Sequence, residues 1–141
     1  MSGINTGRVV AGGLVAGVVL NIIDFVANLV LASDFAANTA RLNLDPATAQ
    51  APAAMVTWIV IDLLLGLVLV FTYAAMRPRF GAGSKTAIVA GGTIWFAISL
   101  IVFGFSTIGM IDMPLYWKAT FISLLNVLIA ANLGASIYKE A

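Results

Sequence analysis

The side chains best suited to chemistry in this sequence are two acids inside apolar stretches. Asp24 and Asp62 each lie within a hydrophobic segment, where an ionised carboxylate is costly unless a proton, a cation or a hydrogen-bond donor accompanies it. Three asparagines and one lysine can supply polar partners at similar depths. The sequence therefore predicts a polar intramembrane cluster of Asn21, Asp24, Asn28, Asp62, Lys118 and Asn126.

This cluster has two interpretations. In the first, the acids and amides form a structural link that holds neighbouring helices together. In the second, Asp24 and Asp62 share a proton or cation, and the asparagines complete a polar path. Lys118 either reaches down towards the carboxylates or extends outward to the lipid headgroups. We favour the structural link, and proton or cation handling stays open as the alternative.

Other kinds of chemistry are excluded by composition. The 141 residues contain no Cys and no His, which removes thiolate nucleophiles, His-dependent catalytic triads and the usual protein ligands of haem and iron–sulfur clusters. We therefore expect no enzymatic activity, no catalytic residue, no metal site and no cofactor. The net charge is +1 without a long basic run, which argues against nucleic-acid binding.

The elements that hold the polar residues are predicted to be transmembrane helices. The chain is 62% hydrophobic and 9% charged, with a mean hydropathy of +1.07, which is typical of an integral membrane protein. Four stretches are long enough to span a hydrocarbon core of about 30 Å. They predict one all-α domain over residues 1–141, a four-helix bundle with helices at about 9–31, 55–76, 86–110 and 115–137 and an outer loop at 32–54.

Charge placement predicts the orientation of this bundle. Most of the Lys and Arg residues flank the helix ends that share one side, so the positive-inside rule puts both termini in the cytoplasm and the protein in a cell inner membrane. The first apolar stretch is longer than the usual signal-peptide core of about 7–15 residues, so we expect it to be retained. Arg77, Arg79 and Lys85 of the inner loop are expected to contact lipid headgroups.

Small residues at helical spacing predict where helices pack closely. The positions expected to do so are Gly13, Gly17, Gly66, Gly92, Ala130 and Gly134. Their number favours association with a protein partner or with further copies of the chain. The leading functional hypothesis is a non-catalytic accessory or structural subunit of a larger membrane complex, such as a respiratory or photosynthetic one, or a self-associating bundle. The alternative is a small proton- or cation-coupled transporter or channel that uses Asp24 and Asp62.

The inner loop also carries a recognisable pattern. Residues 73–87 read YAAMRPRFGAGSKTA, with GLVAGVV at 13–19 and NIID at 21–24 upstream. This combination resembles an uncharacterised family of small bacterial membrane proteins with four transmembrane helices, and the similarity covers most of the chain. The resemblance implies the four-helix architecture and a bacterial origin. The family has no assigned activity, so no functional residue follows from it.

Overall fold

The computed structural model describes residues 3–140, and every regular element in that range is a helix. Four of the helices are long and apolar enough to cross a membrane, which confirms the predicted all-α membrane-spanning bundle. In chain order the helices are α1 (Thr6–Val30), α2 (Ala32–Arg41), α3 (Pro46–Ala49), α4 (Pro52–Phe80), α5 (Ser84–Thr107) and α6 (Met113–Ile137). The membrane-spanning helices are α1, α4, α5 and α6.

The helix ends differ from the apolar stretches by a few residues, because hydropathy and backbone conformation are set by different groups. α1 begins before its apolar segment since the Asn5 side chain caps it by accepting the Arg8 N–H at 3.1 Å. α4 continues through Pro78 and ends where Gly81 has a φ of 83°. α5 ends earlier than predicted, just before Gly109 at a φ of 82°. Such left-handed conformations favour glycine and stop a helix.

The beginning of α1 and the end of α6 lie at the same end of the bundle. The backbone N–H of Asn5, just before α1, donates to the Tyr138 hydroxyl, just after α6, at 3.3 Å. We call this the terminal end, and the opposite end, which carries α2 and α3, the loop end. At the loop end the Asn38 side chain of α2 accepts the Asp112 N–H at 2.9 Å. This bond fastens α2 to the turn between α5 and α6.

The bundle core lies where α1, α4 and α6 meet. α1 packs against α4 and α6, while α5 packs against α6 and α4. The most buried side chains, at 0 or 1% exposure, include Ala16, Leu20, Leu69, Val70 and Ala130. Many large apolar side chains point outward instead, as expected for a protein whose surrounding solvent is lipid.

Candidate functional site

Close packing of α1 and α4 brings the two acids together. A Cβ added to Gly66 would overlap the backbone of Gly13 and Gly17, and one added to Gly17 would lie 2.7 Å from the Cα of Leu63. The two helices run in opposite directions, and Cβ atoms lean towards the N-terminus of their own helix. Asp24 and Asp62 therefore lean towards each other, and their carboxyl groups lie close together.

This arrangement of carboxyl groups has a direct chemical consequence. An ionised carboxylate only accepts hydrogen bonds, so two carboxyl groups can bond to each other only when one of them is protonated. Asp62 is 7% exposed, and Asp24 is half-buried. The pair can hold one shared proton, or it can be bridged by a cation when both groups are ionised.

Asn126 extends the acid pair to a third helix. The residue is 1% exposed, and its Nδ2 atom donates to the Asp24 carboxylate at 2.7 Å and to the backbone carbonyl of Leu20 at 3.2 Å. Its side-chain oxygen is buried and has no hydrogen-bond partner among residues 3–140. Asn126 thus joins α6 to α1, and Asp62 of α4 lies close to Asp24. We call these three residues the acid–amide cluster.

The other three residues of the predicted polar cluster lie elsewhere. Asn21 links α1 to α4 by donating to the carbonyl of Ile59 at 3.3 Å, and it also donates to its own helix at Gly17. The exposed Asn28 donates only to the backbone carbonyl of Asp24, at 2.8 Å. Asn28 therefore bonds within its own helix and makes no link between helices.

The expectation that Lys118 reaches the acids is corrected by the structure. Its ammonium group lies 2.8 Å from a carboxylate oxygen of Asp34. Asp34 belongs to α2, which is packed at the loop end and so presents a carboxylate to the first turns of α6. The sequence prediction omitted Asp34 because no single-helix pattern shows how α2 folds over the bundle.

Five of the six predicted small packing residues lie inside the bundle. Gly13, Gly17 and Gly66 form the contact between α1 and α4, and Gly134 of α6 lies against Val70 and the carbonyl of Gly12. Ala130 is fully buried. Gly12, which the prediction omitted, belongs to the same contact surface. Its pairing with a glycine on a different helix could not be read from α1 alone.

The prediction for Gly92 is corrected as well. A Cβ added there would have nothing within 4 Å, whereas one added to Gly91 would lie 3.0 Å from the Cβ of Ala131. The two adjacent glycines lie 100° apart around the helix, so only one of them can face α6. The rotation of α5 in the bundle selects Gly91.

Two aromatic side chains join α5 to α6 by hydrogen bonds instead of by close packing at glycine. The indole N–H of Trp95 donates to the Thr120 carbonyl at 3.1 Å and to the Ser123 hydroxyl at 3.2 Å. The hydroxyl of Tyr116 donates to the Ser99 carbonyl at 3.2 Å. Trp95 and Tyr116 were outside the predicted site residues because aromatic residues in membrane helices usually indicate interfacial depth rather than hydrogen-bonded pairs.

The three inner-loop cations fall into two groups at the terminal end. Arg79 and Lys85 are exposed, in positions that suit contact with headgroups. Arg77 is turned inward, with its guanidinium 5.5 Å from the centre of the Tyr138 ring and its Nε atom 3.7 Å from the Glu140 carboxylate. The sequence prediction treated the three cations alike, and the structure separates them.

A layer of apolar side chains separates the acid–amide cluster from the terminal end. Leu69 and Val70 are fully buried between these two levels, together with Ala16 and Ala130. These side chains offer no hydrogen-bonding group to a permeating ion. In this conformation the cluster is thus separated by apolar packing from the side of the bundle that carries the termini.

Comparison with known proteins identifies no relative of this chain. A scan against models of protein families, a search of curated proteins and a search of solved structures find no match to this chain. The class defined by the structure is accordingly that of an integral membrane protein with four spanning helices.

Proposed function

We propose that this protein is a non-catalytic structural component of a bacterial inner membrane, acting as an accessory subunit of a larger complex or as a self-associating bundle. Its place in the family suggested by the inner-loop pattern, with both termini in the cytoplasm, is part of this proposal. The observation that carries it is the use of the intramembrane polar groups as links between helices. Asp24 bonds to Asn126, and Asn21 bonds across to α4.

The outward face of α5 supports association with another helix. Gly92 and Gly104 lie twelve residues apart, about 3.3 turns of α5, and neither has a neighbour within 4 Å of where a Cβ would stand. Phe96 and Leu100 lie between them at four-residue spacing, on a stripe that winds part of the way around α5, and both are more than half exposed. Glycines along an apolar stripe let a second helix approach closely, which strengthens dispersion contacts within a membrane.

The proposal is tested by the mass of the protein extracted without disruption. The full chain is extracted into native nanodiscs or a mild neutral detergent, and native mass spectrometry measures its assembly. We expect either a multiple of the chain mass or a co-purifying partner. A monomer alone would contradict the proposal.

Matched variants separate specific association from detergent artefacts. Gly104→Leu places a bulky side chain on the outward stripe and is expected to reduce the associated fraction. Ala75→Leu is the control, since it adds similar bulk at an exposed position of α4, away from the stripe on α5. If a respiratory or photosynthetic complex is the partner, this subunit would lie beside the chains that bear cofactors, because it has no His with which to ligate haem.

A second candidate function is coupled transport of a proton or cation, favoured by the proximity of the carboxyl groups of Asp24 and Asp62. Opening a path would require the apolar layer below the cluster to separate. Flux into sealed vesicles containing the purified protein, with a pH-sensitive or sodium-sensitive dye inside, distinguishes the two functions. Transport predicts flux that Asp24→Asn or Asp62→Asn abolishes. A structural link predicts no flux in the native protein and lower thermal stability in both variants.

A further inference from the structure

A cavity at the terminal end is lined by cations and hydroxyl groups. It has a volume of about 370 Å³ and lies where the end of α4, the beginning of α5 and the segment after α6 meet. Its lining includes the polar side chains of Tyr73, Arg77, Ser84, Ser136, Tyr138 and Lys139. It is separate from the acid–amide cluster, because the apolar layer lies between them.

Arg77 is held at this cavity by the packing of α4. Tyr73 and Ala74 are buried one turn earlier on the same helix, at spacings of four and three residues, so the side chain of Arg77 points to the same side. The Tyr138 ring lies against its guanidinium. The turn opposite is held in place by the Tyr73 hydroxyl, which accepts the N–H of Gly83 at 3.1 Å. The packing of α4 and the contact with the Tyr138 ring therefore hold Arg77 at the cavity.

The guanidinium of Arg77 has hydrogen-bonding capacity that the described part of the chain does not use. Its Nε atom is 3.7 Å from the Glu140 carboxylate, whereas its Nη1 atom is buried and has no partner among residues 3–140. Guanidinium stays charged at physiological pH, and a buried charged donor without an acceptor is destabilising. The Nη1 atom itself is closed off from the cavity, but the Arg77 side chain is 21% exposed and lines the cavity, so its other guanidinium N–H groups can donate to an anion there.

The rest of the lining suits an anion with several acceptor oxygens. Lys139 supplies a second positive charge, and Ser84 supplies a hydroxyl at the beginning of α5. α5 has no side-chain cap, so the N–H groups of its first turn add donors on the same side. A phosphate group matches this set, because its oxygens accept from a guanidinium, an ammonium and hydroxyl or backbone donors together.

We propose that this cavity binds a phosphate group, with Arg77 and Lys139 as its charged contacts. The phosphate belongs either to a phospholipid headgroup or to a soluble phosphate ion, since the cavity lies at the bundle end that the charge distribution assigns to the inner membrane surface. Arg79 and Lys85 lie outside the cavity lining and contribute only to the general positive field. This inference is independent of the proposed structural function.

Binding is measured on the full chain in neutral maltoside detergent. Native mass spectrometry titrates dioleoyl phosphatidylglycerol, with dioleoylglycerol as the lipid that has the same tails and no phosphate. In parallel, thermal unfolding followed by tryptophan fluorescence compares sodium phosphate with sodium chloride at equal ionic strength. The variants are Arg77→Gln and Lys139→Gln. Arg79→Gln and Lys85→Gln remove the same charge from the same end and serve as matched controls.

We expect phosphatidylglycerol, inorganic phosphate or both to bind the native chain. Arg77→Gln should weaken that binding about tenfold or more, as expected for losing a charge-assisted hydrogen bond, and Lys139→Gln should weaken it severalfold. The two controls should stay within about twofold of the native chain. Stabilisation by inorganic phosphate identifies the ion as a sufficient ligand. Binding of phosphatidylglycerol without any effect of inorganic phosphate identifies the ligand as a lipid headgroup.

Two results would overturn the proposal. One is equal binding of phosphatidylglycerol and dioleoylglycerol together with no effect of inorganic phosphate. The other is an equal loss in all four variants, which would mean that the charge of the whole surface, and not this cavity, attracts the anion. If Arg77→Gln lowers the thermal stability too far for titration, Lys139→Gln against Lys85→Gln decides, because both lysines are exposed and their replacement removes little buried packing.

Discussion

The side-chain amide of Asn126 donates a hydrogen bond of 2.7 Å to the carboxylate of Asp24, across 102 positions of sequence. The bond joins the last helix of the bundle to the first. The same amide also donates to the carbonyl of Leu20. One side chain thereby connects α6 to both the backbone and the acid of α1, at the level where Asp62 approaches from α4.

Asn126→Leu should lower the free energy of unfolding by about 1–2 kcal/mol, since it removes both bonds and leaves Asp24 without its amide partner. Asn28→Leu is the matched control. Its amide bonds only within α1 and is exposed, so we expect a change within about 0.5 kcal/mol. Unfolding in mixed micelles with increasing dodecyl sulfate measures both. Equal effects of the two substitutions would show that Asn126 is not a link between helices.

Gly66→Ala should destabilise the protein by about 1–3 kcal/mol, because the added methyl group would overlap the backbone of Gly13 and Gly17 and force α1 and α4 apart. Gly92→Ala adds the same methyl group on α5 where nothing lies within 4 Å, and it should leave stability unchanged or raise it slightly. The midpoint of thermal unfolding in detergent ranks the two. A larger loss for Gly92→Ala would contradict the observed helix rotations.

The ion pair of Lys118 with Asp34 should contribute less than about 1 kcal/mol, because both side chains are partly exposed at the loop end. A double-mutant cycle with Lys118→Gln and Asp34→Asn measures this coupling free energy. The same cycle with Lys118→Gln and Asp62→Asn should give a coupling near zero. A larger coupling to Asp62 than to Asp34 would mean that the lysine reaches the acid–amide cluster after all.

Accessibility from the two sides of the membrane should follow the arrangement of the loops. The chain has no cysteine, so single substitutions report without background. Ala47→Cys in α3 and Ala82→Cys between α4 and α5 are both exposed positions, and an impermeant maleimide should label them from opposite sides of sealed vesicles. Leu69→Cys, in the fully buried core, should stay unlabelled. Labelling of both exposed positions from one side would contradict the topology.

Several features of the fold follow from single segments and were predictable. Burying backbone hydrogen bonds in lipid requires helices of a minimum length, so the apolar stretches alone indicate four spanning helices. The predicted helices at about 86–110 and 115–137 leave only a short turn between them, and in the structure Pro114 lies in the first turn of α6 directly after it. Close packing at Gly13, Gly17 and Gly66 was also predicted, because small residues let membrane helices approach each other, but the helices that they join were not.

The sequence by itself determined the membrane environment and the number of spans, since hydropathy is a property summed along each segment. Only the tertiary structure decided that Lys118 meets Asp34, that Gly91 and not Gly92 faces α6, and that Arg77 turns inward while Arg79 stays exposed. A helix that is apolar on nearly every side has no distinct hydrophobic face, so its rotation about its own axis in the bundle cannot be predicted from its sequence. The rotation is set by close packing between helices, and that packing chooses which polar groups meet.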